Sequence, residues 1–335
     1  MLSLRCETFR SATLPARRRR SKVTVSIAAS CFEREEPQIV LCHDWLGSVP
    51  AAGSIDTVDK QRFLGRRWIG LLAGDVARAE EFTGILEGRL PDKPTGNEAL
   101  AVVRQAVFDF RKTLLDQVLL SSCGITFDRF IGDGQKIYPE SVFKEIQRDI
   151  VEVRLGIEYI VTGFVVEQDH EKNGEEYPLP CIIQVCERQL GVIEVTMEDS
   201  FACVGEGGSA AQTFMMFRDH DRFDDLEKTV YQVFEAKTMA ELNPSVGTST
   251  SVYLQRPGKD LAYLSGEGFT HFYKLFKEFG PRSIRRKVMK LHPLTIKEFG
   301  DDRARMRTEA AKRGALPDSM EVKRLGSETS EDDTK

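Results

Sequence analysis

The chain has 335 residues, of which 41% are hydrophobic and 30% charged, with a formal net charge of −5 and an isoelectric point of about 5.7. A chain of this length and apolar content can bury a substantial core, which argues against wholesale disorder. Its acidic balance argues against general nucleic-acid binding as the main activity. No run approaches eighteen uninterrupted apolar residues, so we predict no membrane-spanning helix.

The two ends of the chain differ from its middle. Residues 1–22 hold seven Lys or Arg against one Glu. We interpret this stretch as an organelle transit segment, a removable leader, or upstream sequence included by a wrong start assignment. Residues 301–335 are polar and finish with GSETSEDDTK, which predicts a disordered tail. One domain is expected between these ends, at 23–300.

The domain begins with strand-like patterns. VTVSIAAS (23–30) and QIVLCHDW (38–45), joined through the charged turn CFEREEP, predict a hairpin. A third apolar run, RRWIGLLAG (66–74), ends at small residues. From Asp75 the apolar period becomes that of a helix. The apolar side chains on one face of this helix are Val76, Ala79, Phe82 and Leu86.

The middle of the chain, residues 91–156, is predicted to be mainly helical. Helices over 97–121 and 139–154 carry apolar residues at three- and four-residue steps, as helices that pack on a core do. Between them lies GITFDRFIGDGQKIY (124–138), whose glycines predict a loop or hairpin.

Strands return in the second half. We predict them at 157–167, 181–188, 191–197 and 200–207, with the polar hairpin tip DHEKNGEEYP between the first two. After them we predict a helix at 224–241, a strand pair at 248–255 and 259–265, and a Phe-rich helix at 264–280. This order predicts an α+β fold in which two antiparallel sheets pack face to face with helices outside. The Phe-rich helix is either core or an exposed surface for assembly.

Cysteine and histidine usage predicts neither a metal site nor a cofactor site. The seven cysteines contain no Cys-x-x-Cys pair, and the five histidines are scattered. Cys42 and Cys203 lie in apolar runs and are predicted to be buried free thiols. These features favour a reducing compartment, so we expect a cytoplasmic protein, with organelle targeting by the basic N-terminus as the alternative.

Three spaced residues are candidates for a functional site. IVLCHDW (39–45) brings an apolar run to an end at Asp44, Lys60 follows sixteen positions later, and Gly74 fourteen positions after that. Each has an ordinary alternative. Asp44 is a typical turn former, Lys60 a solvated lysine before a strand, and Ala73-Gly74 a close-packing pair ahead of a helix. Their spacing gains a chemical meaning only if a nucleophile lies nearby.

These residues and the order of the elements resemble the proteasome β-subunit group of N-terminal nucleophile (Ntn) hydrolases, which includes HslV-like peptidases and bacterial proteasome-like proteins. Asp44, Lys60 and Ala73-Gly74 keep the separations of that group. VGEGGSAAQTF resembles its Gly-rich turn into the third helix, and NPSVGTSTSVYL resembles the turn and strand after the fourth. The match covers 23–90 and 157–265, and leaves 91–156 as an extension or insertion.

The resemblance implies a four-layer αββα sandwich, the Ntn-hydrolase fold, and a chemistry. The nucleophile is the first residue of the mature chain, and its free α-amine acts as the base. Lys60 would favour the unprotonated amine, because like charges disfavour each other, and Asp44 would hold Lys60. The N–H at the Gly74 turn would stabilise the oxyanion, a contribution of about 3–4 kcal/mol for one donor.

Thr24 is the best candidate nucleophile. It lies twenty residues before Asp44, a longer interval than in the group, and we assign the extra length to the CFEREEP turn. An even insertion there preserves the face to which each side chain points. Thr24 would become the first residue by removal of residues 1–23, or by translation that starts at Val23 followed by trimming.

Other positions depart from the pattern. Asn243 stands where active members carry an aspartate, and Val246 where many carry a serine. The serine of the Gly-rich turn corresponds to Glu206 or, with a shift, to Ser209. Because such residues position the amine and its proton, these departures favour a non-catalytic subunit as a competing interpretation.

Three functions therefore follow from the sequence. The first is a threonine-type peptidase that cleaves peptides or unfolded proteins inside a homo-oligomeric ring, with an unfoldase as a further partner. The second is a structural subunit that forms a ring without turnover. The third is an amidohydrolase that uses the same nucleophile on a small amide, since a fold does not determine its substrate.

Overall fold

The computed structural model describes residues 24–49, 53–56, 58–169, 175–188 and 192–280, together with short strands at 290–291, 296–298 and 320–321. The basic segment at 1–22 and nearly all of the polar tail lie outside the described residues. The strands are β1 (Ser26–Glu33), β2 (Glu36–Asp44), β3 (Leu46–Val49), β4 (Gly53–Asp56), β5 (Gln61–Phe63), β6 (Ile69–Gly74), β7 (Ile157–Asp169), β8 (Glu175–Glu187), β9 (Ile193–Glu198), β10 (Phe201–Val204), β11 (Thr250–Gln255), β12 (Ala262–Leu264), β13 (Lys290–Leu291), β14 (Ile296–Glu298) and β15 (Met320–Glu321). The α-helices are α1 (Val76–Leu86), α2 (Gly96–Val118), α3 (Phe127–Ile137), α4 (Glu140–Glu152), α5 (Gly208–Phe217), α6 (Leu226–Ala240) and α7 (Gly266–Phe279), and a 3₁₀ turn spans Leu120–Cys123.

The opening hairpin forms as predicted, but most of CFEREEP is strand and not turn. Glu33 pairs with Glu36, so the turn consists of Arg34 and Glu35 alone, with φ angles of 54° and 68°. Two positive φ angles are the geometry of a type I′ turn, whose twist matches that of paired strands. The other residues of this stretch therefore lengthen β1 and β2, and the turn itself is shorter than predicted.

Two antiparallel sheets form the centre of the α+β fold. One has the strand order β10-β1-β2-β11-β12-β14, and the other β5-β6-β7-β8-β9. Strand β8 begins at Glu175, so the end of the stretch predicted as a hairpin tip is already strand. A cluster of buried side chains draws on both sheets, including Ala28 and Leu41 from one and Leu71 and Ile160 from the other. The inner faces of the sheets therefore pack together.

Helices cover the outer faces. Strands β1, β2 and β11 share a core cluster with α5, α6 and α7. Strands β6, β7 and β8 share a second cluster with α1 and α2. The helices predicted over 97–121, 139–154, 224–241 and 264–280 are found with ends within three residues of those positions. None of the described helices has an apolar run long enough to cross a membrane.

Side-chain caps explain where several helices begin. Asp75 accepts from the Ala77 N–H at 3.0 Å and starts α1 directly after β6. Thr95 and Glu98 form a capping box at the start of α2. Asp225 and Ser265 accept from backbone N–H groups at the start of α6 and α7. Each cap satisfies amides that would otherwise lack a partner in the first helical turn.

The prediction of a loop or hairpin over 124–138 is wrong, because helix α3 occupies most of this stretch. Gly134 faces the ring of Phe143, and a Cβ atom there would lie 2.9 Å from that ring. Phe130 and Phe143 stack with their centroids 5.0 Å apart in a small core under α2. The glycine therefore allows helices α3 and α4 to pack closely, and this packing outweighs its low helix propensity.

The Phe-rich helix α7 belongs to the core. Phe272 is buried, and Phe269, Phe276 and Phe279 are partly buried against the cluster under α6. These phenylalanine side chains therefore pack largely against the core of their own chain.

Candidate active site

The strand ends bring three of the predicted site residues together. Thr24 lies just before β1 and Asp44 is the last residue of β2, so antiparallel pairing makes them neighbours, with an Asp44 N–H to Val25 C=O bond of 3.2 Å. Lys60 lies just before β5, and its carbonyl accepts from the Leu72 N–H of β6 at 3.0 Å. The two sheets therefore contribute one side of the site each.

The three side chains form a buried, directly bonded group. The Thr24 hydroxyl donates to Asp44 Oδ1 at 2.5 Å, and the Lys60 ammonium donates to both the Thr24 hydroxyl oxygen and Asp44 Oδ1. Thr24, Asp44 and Lys60 are 3%, 0% and 2% exposed. Away from water, charges act on the hydroxyl more strongly than at the surface. We call this group the Thr24 cluster.

Backbone amides complete the environment of the Asp44 carboxylate. Oδ1 also accepts from the Val25 N–H at 3.1 Å, and Oδ2 accepts from the Gly247 N–H at 2.8 Å. A carboxylate that is bonded to an ammonium, a hydroxyl and two amides has the partners that a buried charge requires. The position of Asp44 is therefore set by the main chain as well as by Lys60.

Gly247 lies in the turn before β11, and only glycine fits there. A Cβ atom would lie 2.7 Å from the Leu46 Cβ atom and 3.0 Å from Asp44 Oδ2. The Gly247 carbonyl accepts from the ammonium of Lys237 at 2.8 Å, and Lys237 also bonds Glu241 at 2.5 Å. Lys237 is completely buried in α6. The sequence places Lys237 in the apolar line of its helix and Gly247 in the NPSVGTSTSVYL turn, but sequence reasoning gave neither residue a role.

The Gly-rich turn before α5 holds the main chain of Thr24. The Gly207 N–H donates to the Thr24 carbonyl at 3.1 Å, and a Cβ atom at Gly205 would lie 2.2 Å from the same oxygen. Glu206 is exposed between these glycines, and partial burial, followed by the charge of Glu158, raises the pKa of its carboxyl group. The turn thus fixes where the chain enters β1.

Ser209 is separate from the Thr24 cluster in its contacts. It lies exposed in the first turn of α5, where its carbonyl accepts from the Thr213 hydroxyl. Among the described residues, no hydrogen bond joins the Ser209 side chain to Thr24, Asp44 or Lys60. No hydrogen bond among the described residues therefore supports the role predicted for Ser209.

Gly74 ends β6 in a conformation that favours glycine. Its φ angle is +95°, and a Cβ atom would lie 2.6 Å from the Gly156 carbonyl oxygen. The next residue, Asp75, donates its N–H to that carbonyl at 2.9 Å. The β6-to-α1 turn is thereby held against the start of β7. A donor role of Gly74 toward a substrate oxygen stays a prediction.

Asn243 and Val246 stabilise their own turn. The Asn243 side-chain oxygen accepts from the Ser245 N–H at 3.2 Å. Val246 is 4% exposed, and its methyl group lies where a Cβ atom at Gly207 would approach to 2.7 Å. The two departures from the family pattern thus supply turn geometry and packing between the turns around Thr24 and Gly247.

Thiols near the site are poor alternatives to the hydroxyl as nucleophile. Cys42 and Cys203 are free and buried, as predicted. Burial raises the pKa of Cys42 to about 12 and raises that of Cys203 as well. Since the thiolate is the reactive form of cysteine, both thiols are inert at neutral pH. In the described part of the chain, no group of three or more His, Cys, Asp or Glu side chains has the arrangement of a metal site.

No protein-family model matches the chain, and no curated protein matches it at a significant level.

Proposed function

We propose that the protein is an Ntn hydrolase of the proteasome-like class that cleaves amide bonds with the Thr24 hydroxyl as nucleophile. The observation that carries this proposal is the Thr24 cluster, in which a buried hydroxyl contacts an ammonium and a carboxylate at once. The arrangement of helices, two face-to-face sheets and helices supports the corresponding αββα fold. Independently of any resemblance to a family, a desolvated lysine that donates a hydrogen bond to a hydroxyl is suited to stabilise the alkoxide that forms during attack.

The proposed chemistry requires a free α-amine on Thr24. In the full chain this nitrogen is in a peptide bond with Val23, and an amide nitrogen is not basic. Removal of residues 1–23, or translation from Val23 followed by trimming, generates the amine. The Gly207 and Val25 amides, which bond the Thr24 carbonyl and Asp44, would hold the new terminus in place.

The reaction proceeds in two halves. The Thr24 Oγ1 atom attacks the substrate carbonyl carbon while its proton passes to the α-amine, directly or through water, and the N–H at the Gly74 turn bonds the oxyanion. The amine then gives the proton to the leaving nitrogen as the C–N bond breaks, which leaves an ester on Thr24. Water attacks this ester, and proton transfer through the same amine releases the acid and restores the hydroxyl.

Throughout the cycle Lys60 and Asp44 have electrostatic roles. The Lys60 ammonium donates a hydrogen bond to the attacking oxygen and stabilises the negative charge that develops there. Asp44 holds the ammonium and is itself fixed by the amides of Val25 and Gly247. The cluster is therefore preorganised before substrate binds.

Peptides or unfolded proteins are the substrates we propose, within a homo-oligomeric ring that restricts access, and an unfoldase is the proposed partner. The resemblance of residues 23–90 and 157–265 supports this assignment. Light scattering on the purified protein tests the ring: a mass several times 37.8 kDa is expected, and a monomer contradicts it.

A second candidate is a ring subunit without turnover. The observation in its favour is that Asn243 and Val246 stabilise their own turn and the core, and that, among the described residues, no hydrogen bond joins the Ser209 side chain to the Thr24 cluster. On this alternative the Thr24 cluster contributes to stability alone.

Covalent labelling distinguishes the two candidates. A peptide epoxyketone forms its stable ring only with a hydroxyl and an α-amine on the same residue, so it reports both requirements together. We expect one adduct per chain on Thr24 in the mature protein, a slower adduct in Thr24→Ser, and none in Thr24→Ala. Ser26→Ala is the matched control, because this neighbouring hydroxyl bonds the Leu72 carbonyl and should not affect labelling. Unchanged labelling of Thr24→Ala contradicts the proposal.

A further inference from the structure

The mechanism above leaves one buried titratable group next to the Thr24 cluster without a role. His43 directly precedes Asp44 in β2, and its side chain is completely buried. It pairs with Ser26 of β1 on one side and with Ser251 of β11 on the other. Its ring stacks on Tyr253, with centroids 5.8 Å apart and an interplanar angle of 21°.

Hydrogen bonding determines the tautomer of the neutral ring. His43 Nδ1 lies 3.0 Å from the main-chain oxygen of Asp44. A carbonyl oxygen can only accept, so Nδ1 carries the proton and donates. In the neutral ring Nε2 then has a lone pair and no proton. The imidazole therefore holds the main chain of the residue that organises the Thr24 cluster.

The other ring nitrogen faces an unsuitable neighbour. His43 Nε2 is buried and has no hydrogen-bond partner among the described residues. The carboxylate atom Asp59 Oδ1 lies 3.4 Å from it and is held there by the Gln61 N–H at 3.0 Å. Two acceptors thus face each other, an arrangement that one additional proton would convert into an ion pair.

The groups around the ring shift the pKa of His43 in opposite directions. The titratable and charged groups that face His43 are Asp44, Asp59, Lys60 and Tyr253. Burial lowers the pKa of His43, the bond to the Asp44 main chain and the charge of Asp59 raise it, and Lys60 lowers it. The net direction is downward, so the ring is neutral at pH 7. Protonation would set a second positive charge beside Lys60.

We propose that His43 is a positioning residue that makes the Thr24 cluster sensitive to acid. Neutral His43 holds the Asp44 main chain through Nδ1–H. Protonated His43 pairs with Asp59 and repels the Lys60 ammonium, and because Asp59 and Lys60 are consecutive, both effects draw Lys60 away from Thr24. This inference rests on the proposed function for its effect on activity, but not for its structural part.

Three variants separate the two roles of the His43 ring, which are the hydrogen bond from Nδ1–H and the protonation in acid. His43→Asn keeps a donor near the position of Nδ1 and cannot titrate in this range. His43→Phe keeps an aromatic ring against Tyr253 and has neither donor nor titration. His220→Asn is the matched control, because His220 is also buried and has an Nε2 atom without a partner, but its Nδ1 bonds Gln232 instead of the site.

The structural part is tested on the full protein without reference to turnover. Nuclear magnetic resonance of ¹⁵N-labelled histidine should show His43 as the Nδ1–H tautomer at pH 7.5, with a titration midpoint below 6.5, and its signal should vanish in His43→Asn. The Lys60 side-chain signals should shift at the same midpoint. An Nε2–H tautomer, a midpoint at or above 6.5, or Lys60 signals that ignore this midpoint overturn the inference.

The functional part is tested by the rate of epoxyketone labelling as a function of pH. We expect His43→Asn to label at the wild-type rate at pH 7.5 and to lose the acid step that coincides with the His43 midpoint. His43→Phe should label about tenfold more slowly than the wild type at pH 7.5, since it lacks one hydrogen bond to the Asp44 main chain, and it should also lose the acid step. His220→Asn should match the wild type. Persistence of that acid step in His43→Asn overturns the inference. Absence of any labelling contradicts the proposed function instead, and the Lys60 signals then decide the role of His43.

Discussion

The two ends of the paired sheets differ in the burial of their charged side chains. At the Thr24 end, Lys60 and Asp44 are buried and bonded directly. At the other end, where β2 begins at Glu36 about 27 Å from Asp44, the turns around Arg66 and Lys259 border an open cleft of about 630 Å³. There the Lys259–Glu36 pair is 3.2 Å long, with side chains 40% and 64% exposed.

This difference shows which feature identifies a candidate site. The cleft is open, but its ion pairs are at the surface, where water and salt screen them and each contributes at most about 1 kcal/mol. The charges of the Thr24 cluster were removed from water by folding, which is costly unless they are paired and hydrogen-bonded, as Lys60 and Asp44 are. Buried contacts between chemically complementary groups are therefore a better guide here than cavity volume.

The largest expected effect comes from removing the buried ammonium. Lys60→Met leaves the Asp44 carboxylate buried without its cation, so the free energy of unfolding should fall by about 3–5 kcal/mol. Epoxyketone labelling should become undetectable, because no cation then lies on the attacking oxygen. Urea denaturation gives the first quantity. Lys259→Met is the control from the other end and should cost at most about 1 kcal/mol; equal costs for both variants contradict the distinction between the ends.

A somewhat smaller effect is expected at the second buried lysine. Lys237→Met deprives Glu241 and the Gly247 carbonyl of their donor, and should lower the free energy of unfolding by about 2–4 kcal/mol, because Glu241 retains some contact with water. Thermal and urea unfolding measure this change. Lys228→Met, in the same helix but with a side chain 43% exposed, should cost less than about 1 kcal/mol. If Lys237→Met is as mild as Lys228→Met, Lys237 does not hold the turn.

Gly247→Ala should have an intermediate effect. The added methyl group would press on Leu46 and on the Asp44 carboxylate, and such overpacking typically costs about 1–3 kcal/mol. Labelling of Thr24 should slow as Asp44 is displaced. Gly84→Ala provides the comparison, since a Cβ atom there meets nothing within 4 Å in helix α1, and it should stabilise the protein by up to about 1 kcal/mol. Tolerance of Gly247→Ala in both measurements would refute the tight fit around Asp44.

The smallest expected effect is the pH dependence due to His43. Its pKa is lowered in the folded protein, so between the folded-state pKa and about 6.5 the unfolded chain binds more protons than the folded one. The contribution of neutral His43 to the free energy of unfolding therefore has its full value above about pH 6.5 and is lost as the pH falls toward the folded-state pKa. The slope is at most about 1.4 kcal/mol per pH unit. Unfolding curves between pH 5 and 8 should show this slope in the wild type and a shallower one in His43→Asn. Identical slopes count against a buried, neutral His43.

Local patterns accounted for much of the fold: the alternation in 23–45 and the helical period after Asp75 are short-range features that a single sequence contains. The sixteen-residue interval from Asp44 to Lys60 indicated a site only through the resemblance to proteasome β-subunits. The structure places both of these residues against Thr24. Their proposed catalytic roles remain to be tested.

The rest depended on interactions that no local pattern contains. Gly247 bonds Asp44 across 203 positions of sequence, and Lys237 acts through that glycine. Arg34 and Glu35 form a turn that normally favours glycine or asparagine, so the hairpin was placed with too long a turn. Helix α3 accommodates Gly134 because this residue fits against Phe143, a tertiary contact that offsets the low helix propensity of glycine.

The chain start of the natural protein tests the central claim most directly. Tagging that is selective for the α-amine, carried out before trypsin digestion and followed by mass spectrometry, distinguishes a natural terminus at Thr24 from the tryptic peptide that begins at Val23 after Lys22. The account predicts a tagged peptide that starts with Thr24 and ends at Arg34. Recovery of this region only as untagged peptides that run through Val23 would contradict it, because Thr24 would then have no amine to act as base.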